Sequence, residues 1–300
     1  MSALQGISPF VYGTTRLGDE KIPRHERVEM ALAAMETGVW FHTARMYGDA
    51  PEVLGEAFSR KPDKIPEIII KMGWENIGQL RESLRECIEP MGVRRVRLGQ
   101  LCLFRELAED FVRGGDSLQA FRELKEEGLV GGFVLEVFPW TSDMPLQALL
   151  AGHTEGVIDA FIFYLNPLQR FASNRLWEEL VRREKNIIAM RTVGGGPVHR
   201  LRDEPGFAWK DYLQERASEV APIFERSGVK DWTEFCVRFA HSFPGVVATI
   251  GSTARRENLD RFIGAAKNIN PLPGDIVEEI AGLHHRWSDE TDIHAEPWTM

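Results

Sequence analysis

Four residues carry polar chemistry at the ends of short apolar runs: His42, Lys71, Cys102 and Glu136. Lys71 closes the run Ile68-Ile69-Ile70, where packing does not explain a lysine, because an unpaired buried charge is expensive. It reads as functional. His42 is either a base that titrates near neutral pH or a neutral filler. Beside Lys71 it is expected to be neutral, since two neighbouring cations repel. Cys102 reads as a small buried hydrophobe, with nucleophile as the alternative. Glu136, next to Val137, can pair with Lys71 or Arg191 or act as a general base. His42, Cys102 and Glu136 have the composition of a zinc site, but no spacing demands one, and no metal is expected. His284, His285 and His294 read as surface residues, and the tail at Trp298 as a frayed end or a cover.

The elements that must position these residues alternate along the whole chain. Runs rich in Val, Ile, Leu and Phe at 10–14, 39–44, 67–72, 97–104, 132–138, 160–166, 186–193 and 246–251 are expected strands buried on both faces. Between them, 27–37, 52–59, 77–89, 117–127, 145–152, 174–183, 233–243 and 258–267 are expected helices. Gly38, Gly128, Gly152 and Asn268 suit helix C-caps, and Asp231 suits an N-cap. Eight strands alternating with eight helices are the count of a (β/α)8 barrel, read here as one domain over 1–300. An open doubly wound sheet is the alternative, but the turn Gly13-Thr14-Thr15-Arg16-Leu17-Gly18 lacks GxGxxG. A long connection at 194–217 and a C-terminal helix at 275–289 with its tail fall outside the alternation. In such a barrel, chemistry sits at the C-terminal ends of the strands. Those ends carry His42, Lys71, Cys102, Glu136, Asn166, Met190-Arg191 and Gly251-Ser252.

Composition bounds the partners. The chain has 300 residues and a net charge of −9, from 36 Lys+Arg against 45 Asp+Glu. That balance disfavours nucleic acid and anionic membrane and leaves a small-molecule substrate. No apolar run reaches the roughly 18 residues of a membrane span. The first residues lack a basic-then-apolar leader, and three scattered cysteines suit reduced thiols, so a cytoplasmic setting is expected. Monomer and homo-oligomer both remain open.

The stretch Gly38-Val-Trp-Phe-His42-Thr-Ala-Arg-Met-Tyr47-Gly48-Asp-Ala-Pro-Glu52-Val-Leu54-Gly55 resembles the aldo-keto reductase pattern G-x-x-x-F-D-T-A-x-x-Y-G-x-x-E-x-x-L-G. Lys71, Met91-Gly92-Val93, Asn166-Pro-Leu-Gln-Arg170, Ala189 to Gly196 and Ile250-Gly251-Ser252 match in order and spacing. The resemblance implies the barrel and a nicotinamide cofactor. It makes Tyr47 the acid/base and Lys71 the cation that lowers its pKa. Two of the four implied catalytic positions differ: the family's Asp, which pairs with the lysine, is His42, and its His falls on Cys102.

The implied cofactor pocket differs too. Glu136-Val137 stands where the family has a carboxamide-binding Ser-Asn, and Ile162 where it has Gln. Met190 replaces a stacking aromatic, followed by Arg191, while Asn166 matches. Each buried amide left without a partner costs about 1–3 kcal/mol. At the phosphate end, Gly194-Gly195-Gly196 offers backbone N–H groups. Gly251, Ser252, Thr253, Arg255 and Arg256 open the last helix as an anion site, which favours NADP over NAD. Three functions stay open: an NAD(P)(H)-dependent oxidoreductase acting on a small carbonyl or sugar-like alcohol, a repurposed non-redox isomerase or lyase using Tyr47, Lys71, His42 and Glu136, and a silent barrel.

Overall fold

Eight parallel strands pair edge to edge in a computed structural model that describes residues 2–72, 76–138, 143–194, 211–267 and 269–291. They are β1 (Phe10–Gly13), β2 (Trp40–Ala44), β3 (Ile68–Met72), β4 (Val96–Leu101), β5 (Val130–Glu136), β6 (Ile158–Asn166), β8 (Ile187–Met190) and β9 (Val246–Ser252). A two-residue strand, β7 (Gln169–Arg170), folds back antiparallel on β6. The order β5-β4-β3-β2-β1-β9-β8-β6, with β5 also pairing β6, closes the barrel. The open-sheet alternative falls with that closure.

Alternation inside each strand builds two cores. Val11, Trp40, Ile69, Leu98, Val134 and Ile188 point inward and fill the barrel with Ala3 and Leu4, while their neighbours face the helices. The ring includes α1 (Arg24–Met35), α2 (Ala50–Arg60), α3 (Ile77–Met91), α4 (Arg105–Arg113), α5 (Asp116–Glu126), α6 (Asp143–Leu150) and α7 (Asn174–Arg182). It continues with α8 (Asp211–Arg226), α9 (Trp232–His241), α10 (Arg256–Lys267) and α11 (Gly274–Thr291). Val28, Ala31, Leu32 and Met35 of α1 are buried against the barrel. The Asp231 side chain caps α9 by accepting from Glu234 N at 2.8 Å. Gly38, Gly128 and Gly152 take positive φ just past their helices. Asn268 lies outside the described residues.

Four expectations need correction. The fourth strand stops at Leu101 and a helix, α4, begins at Arg105, driven by Leu107 and Phe111 four residues apart, both buried. The eighth strand in chain order stops at Met190, because Arg191 turns to φ 48. The connection after it is not loop throughout, since α8 starts at Asp211, while 195–210 and 292–300 lie outside the described residues. His284 is buried rather than exposed: its Nε2 faces the Pro167 carbonyl at 3.3 Å, and its ring meets Phe239 edge-on. Among the described residues no helix is long and apolar enough to cross a membrane.

Candidate functional site at the barrel mouth

The C-terminal strand ends bring His42, Lys71, Cys102 and Glu136 to one mouth. Pairing of β2 with β3 sets Ala44 beside Lys71, and pairing of β3 with β4 sets Lys71 beside Gln100. Glu136 stands one interior layer above Val134, the partner of Gln100. Lys71 Nζ donates to Glu136 Oε1 at 3.0 Å, and the ammonium also lies 5.5 Å from the centre of the Phe138 ring. Of the two partners proposed for Glu136, the structure selects Lys71. Glu136 Oε2 is buried without a hydrogen-bond partner among the described residues.

Burial by itself would push the Lys71 ammonium toward neutrality. The charge of Glu136 leads the opposing effects, with Cys102 and Tyr47 behind it, and Lys71 is held above its ordinary value. His42 Nε2 donates to Gln100 Oε1 at 2.7 Å. Burial, assisted by Lys71, lowers His42 to about 4. The expected neutrality therefore holds. Gln100 was missed in the sequence, although it lies two residues before Cys102 and so on the same strand face.

Tyr47 follows β2 in a loop and is half-buried, its ring 6.0 Å from that of His42. Lys71 acts on it in the direction that the resemblance implies. Lys71 does pull the phenol down, yet burial outweighs it and Tyr47 rises to about 12. The loop is anchored from beneath: Arg27 Nη1 donates to the Leu17 carbonyl at 2.7 Å and also to Asp49. That cross-tie between the first two loops was also missed, because its partners lie 10 and 22 residues away in the chain. Cys102 is buried, and burial followed by Glu136 raises its thiol well above the usual range, which is the behaviour of a packing residue.

The remaining predicted residues line the same rim. Asn166 is fully committed to the protein: Nδ2 donates to the Arg191 carbonyl at 3.0 Å and Gln169 Oε1 at 3.3 Å, and Oδ1 accepts from Leu168 N at 2.9 Å. Met190 receives Gln100 Nε2 at its sulfur at 3.8 Å, and the Arg191 guanidinium lies over the Tyr164 ring at 5.4 Å. Gly194 faces Asn166 and Gln169 so closely that an added Cβ would stand 3.0 Å from Asn166 Nδ2. Ser252 Oγ accepts from Arg16 N at 3.1 Å, and Gly251 abuts the Phe262 ring. Arg255 is exposed, and Arg256 pairs with Asp260 one helical turn on. Gly195 and Gly196 lie outside the described residues. No group of three metal-ligating side chains occurs among the described residues.

The profile of the Aldo/keto reductase family matches residues 9–284. The chain belongs to the aldo/keto reductase family. Solved aldo-keto reductases share its fold. One from Bacillus halodurans, in its holo form, aligns with a TM-score of 0.70 at 15% identity, over 93% of this chain and 95% of that one. One from Klebsiella pneumoniae, in complex with NADP and acetate, aligns at 0.68 and 17% identity, over 93% and 92%. No curated protein sequence matches it. The matched span covers the whole barrel, including the strand ends and loops that carry Tyr47 and Lys71.

Proposed function

We propose that this aldo/keto reductase is an NADPH-linked reductase of small carbonyl compounds, with NADH the weaker partner and Tyr47 the proton donor. The observation that carries the reading is the convergence of Tyr47 and a charged Lys71 at the mouth, where each acts electrostatically on the other. A phenol raised to about 12 carries its proton throughout the neutral range, as a proton donor requires.

Two features fit the dinucleotide. Gly194 leaves open the space a Cβ would fill beside Asn166. Glu136 Oε2 is a buried acceptor without a hydrogen-bond partner among the described residues, which suits the N–H donors of a carboxamide. Glu136, Met190 and Arg191 would hold the nicotinamide side. Gly194, Gly251, Ser252, Arg255 and Arg256 would hold the phosphates, with exposed Arg255 meeting a 2′-phosphate. The nicotinamide, when bound, supplies the hydride. Tyr47 hands its proton to the carbonyl oxygen, and the Lys71 ammonium steadies the phenolate left behind. Cys102, where the family has a histidine, offers the carbonyl oxygen little help, which leaves Tyr47 as its main donor among the described residues. Three buried thiols with no disulfide suit a reducing, cytoplasmic setting.

The test is titration of NADPH against tryptophan fluorescence, followed by carbonyl-dependent loss of absorbance at the reduced-nicotinamide band. Tyr47→Phe is expected to keep cofactor affinity and lose turnover by about 1,000-fold. Unchanged turnover would remove Tyr47 from its role. Absence of quenching at millimolar cofactor would remove the reductase reading.

A further inference from the structure

Lys71 is buried far enough to lose its proton unless an anion holds it: its side chain is 9% exposed and that of Glu136 is 2% exposed. Among the described residues, the groups that act on it are few. His42 stays neutral near physiological pH, lowered to about 4 with its Nε2–H committed to Gln100. Tyr47 and Cys102 both keep their protons, since burial raises each of them. Phe138 offers only the face of a ring. That leaves Glu136, whose Oε1 is spent on Lys71 and whose Oε2 meets no other donor among the described residues. The full carboxylate charge is therefore available to one ammonium.

We propose that Glu136 on β5 is the counter-ion that keeps Lys71 charged beneath Tyr47, a positioning residue for the proton-donor site. Position 42 on β2 is excluded from that duty by its neutral ring and its bond to Gln100. One carboxylate per ammonium is the arrangement that burial tolerates. A second would leave an unpaired charge in the mouth. The kinetic part of this assignment rests on the reductase reading; the charge state of Lys71 does not.

The experiment therefore reads the amine directly. Purified protein is treated with cyanate at pH 7.5, and carbamylation of each lysine is followed by mass spectrometry, with Lys230 as the internal standard. Only the free amine reacts. Lys71 of the native protein is expected to stay unlabelled while Lys230 reacts. In Glu136→Gln, Lys71 labelling is expected to rise at least about tenfold, as one unit of lowered pKa gives. Adding His42→Asp to that variant places a carboxylate on the neighbouring strand and is expected to restore protection, which a merely loosened fold would not do. Unchanged labelling in Glu136→Gln, or labelling that stays high in the double variant, overturns the proposal.

If Glu136→Gln does not fold, Glu136→Gln with Lys71→Met is expected to fold, because no orphan amine remains. Failure of both overturns the proposal. Where turnover is measurable, Glu136→Gln should add an alkaline fall in kcat near the new Lys71 pKa, whereas loss of all reductase activity in the native protein leaves the labelling result standing.

Discussion

The backbone of Gly18 lies so close to Tyr47 that a Cβ added at Gly18 would stand 1.6 Å from the Tyr47 carbonyl oxygen. From the other side, Gly48 at φ 61 turns toward Gly18, whose carbonyl oxygen would lie 2.7 Å from a Cβ at Gly48. The two loops touch through bare backbone. Gly18→Ala is thus expected to part them and displace the phenol. Turnover should fall by about 100-fold, the cost of a misplacement near 1 Å, while NADPH affinity changes by less than about threefold. Steady-state kinetics beside a fluorescence titration check this. A fully active variant would show that the contact does not set Tyr47.

Stability should depend on acid through buried histidines. His42 is lowered to about 4 in the fold from an ordinary value near 6.5, so the unfolded chain binds a proton before the folded one does. The stabilising contribution is complete above about pH 6.5 and is lost as pH falls toward 4. His284, buried between Phe239 and Trp287, is lowered well below its ordinary value by burial and by Arg170 and Arg216, and acts with the same sign. For His42 alone the loss between pH 7.5 and 5 is about 2 kcal/mol. Urea midpoints at the two pH values should shift accordingly, and His42→Gln should shrink the difference by about that amount. An unchanged difference in that variant would mean that His42 titrates normally.

The three thiols should be silent. Cys87 is raised to about 12 by burial, and burial also raises Cys102 and Cys236 well above the usual thiol range. Native protein mixed with an aromatic disulfide reagent at pH 8 is expected to react at none of the three within minutes, and at all of them once urea unfolds it. Rapid native labelling of Cys102 would instead make it a thiol open to the mouth.

Asn166 holds three backbone and side-chain partners around the strained residue Arg191. Asn166→Ala should cost about 1–3 kcal/mol in urea unfolding, through the Arg191 carbonyl and Leu168 N–H left unpaired. Asn166→Asp keeps the acceptor for Leu168 but sets a buried carboxylate against the Arg191 carbonyl and Gln169 Oε1, so its cost should be at least as large. Equal stability of all three proteins would show that the side chain organises nothing.

The barrel was legible because strands buried on both faces leave uninterrupted Val, Ile and Leu runs, and because Lys71 breaks such a run at its end. The tyrosine loop was legible as a contiguous motif around Tyr47. What the sequence hid is pairing across the mouth. Glu136 is 65 residues from Lys71, and Gln100 is 58 from His42, so which polar groups meet depends on strand register and not on neighbours in the chain. Read residue by residue, positions 42 and 136 looked like two separate departures from the family. Set on their strands, they are complementary: a neutral ring on β2 and a carboxylate on β5 flank one lysine. His284 misled because its helix leads into a polar C-terminal segment of the sequence, whereas its burial comes from α11 packing against the turn after β6.

The far end of the barrel is closed by the chain's own first turn. Arg97 reaches from β4 to the Ala3, Ser2 and Gln5 carbonyls and stacks on Trp40, while Ala3 and Leu4 fill the floor. Ser2 therefore lies on the side of the barrel away from Tyr47. A tether attached there would hold the protein on a sensor chip or resin with its mouth toward the liquid, while trimming Ala3 and Leu4 would let water into the base of the barrel.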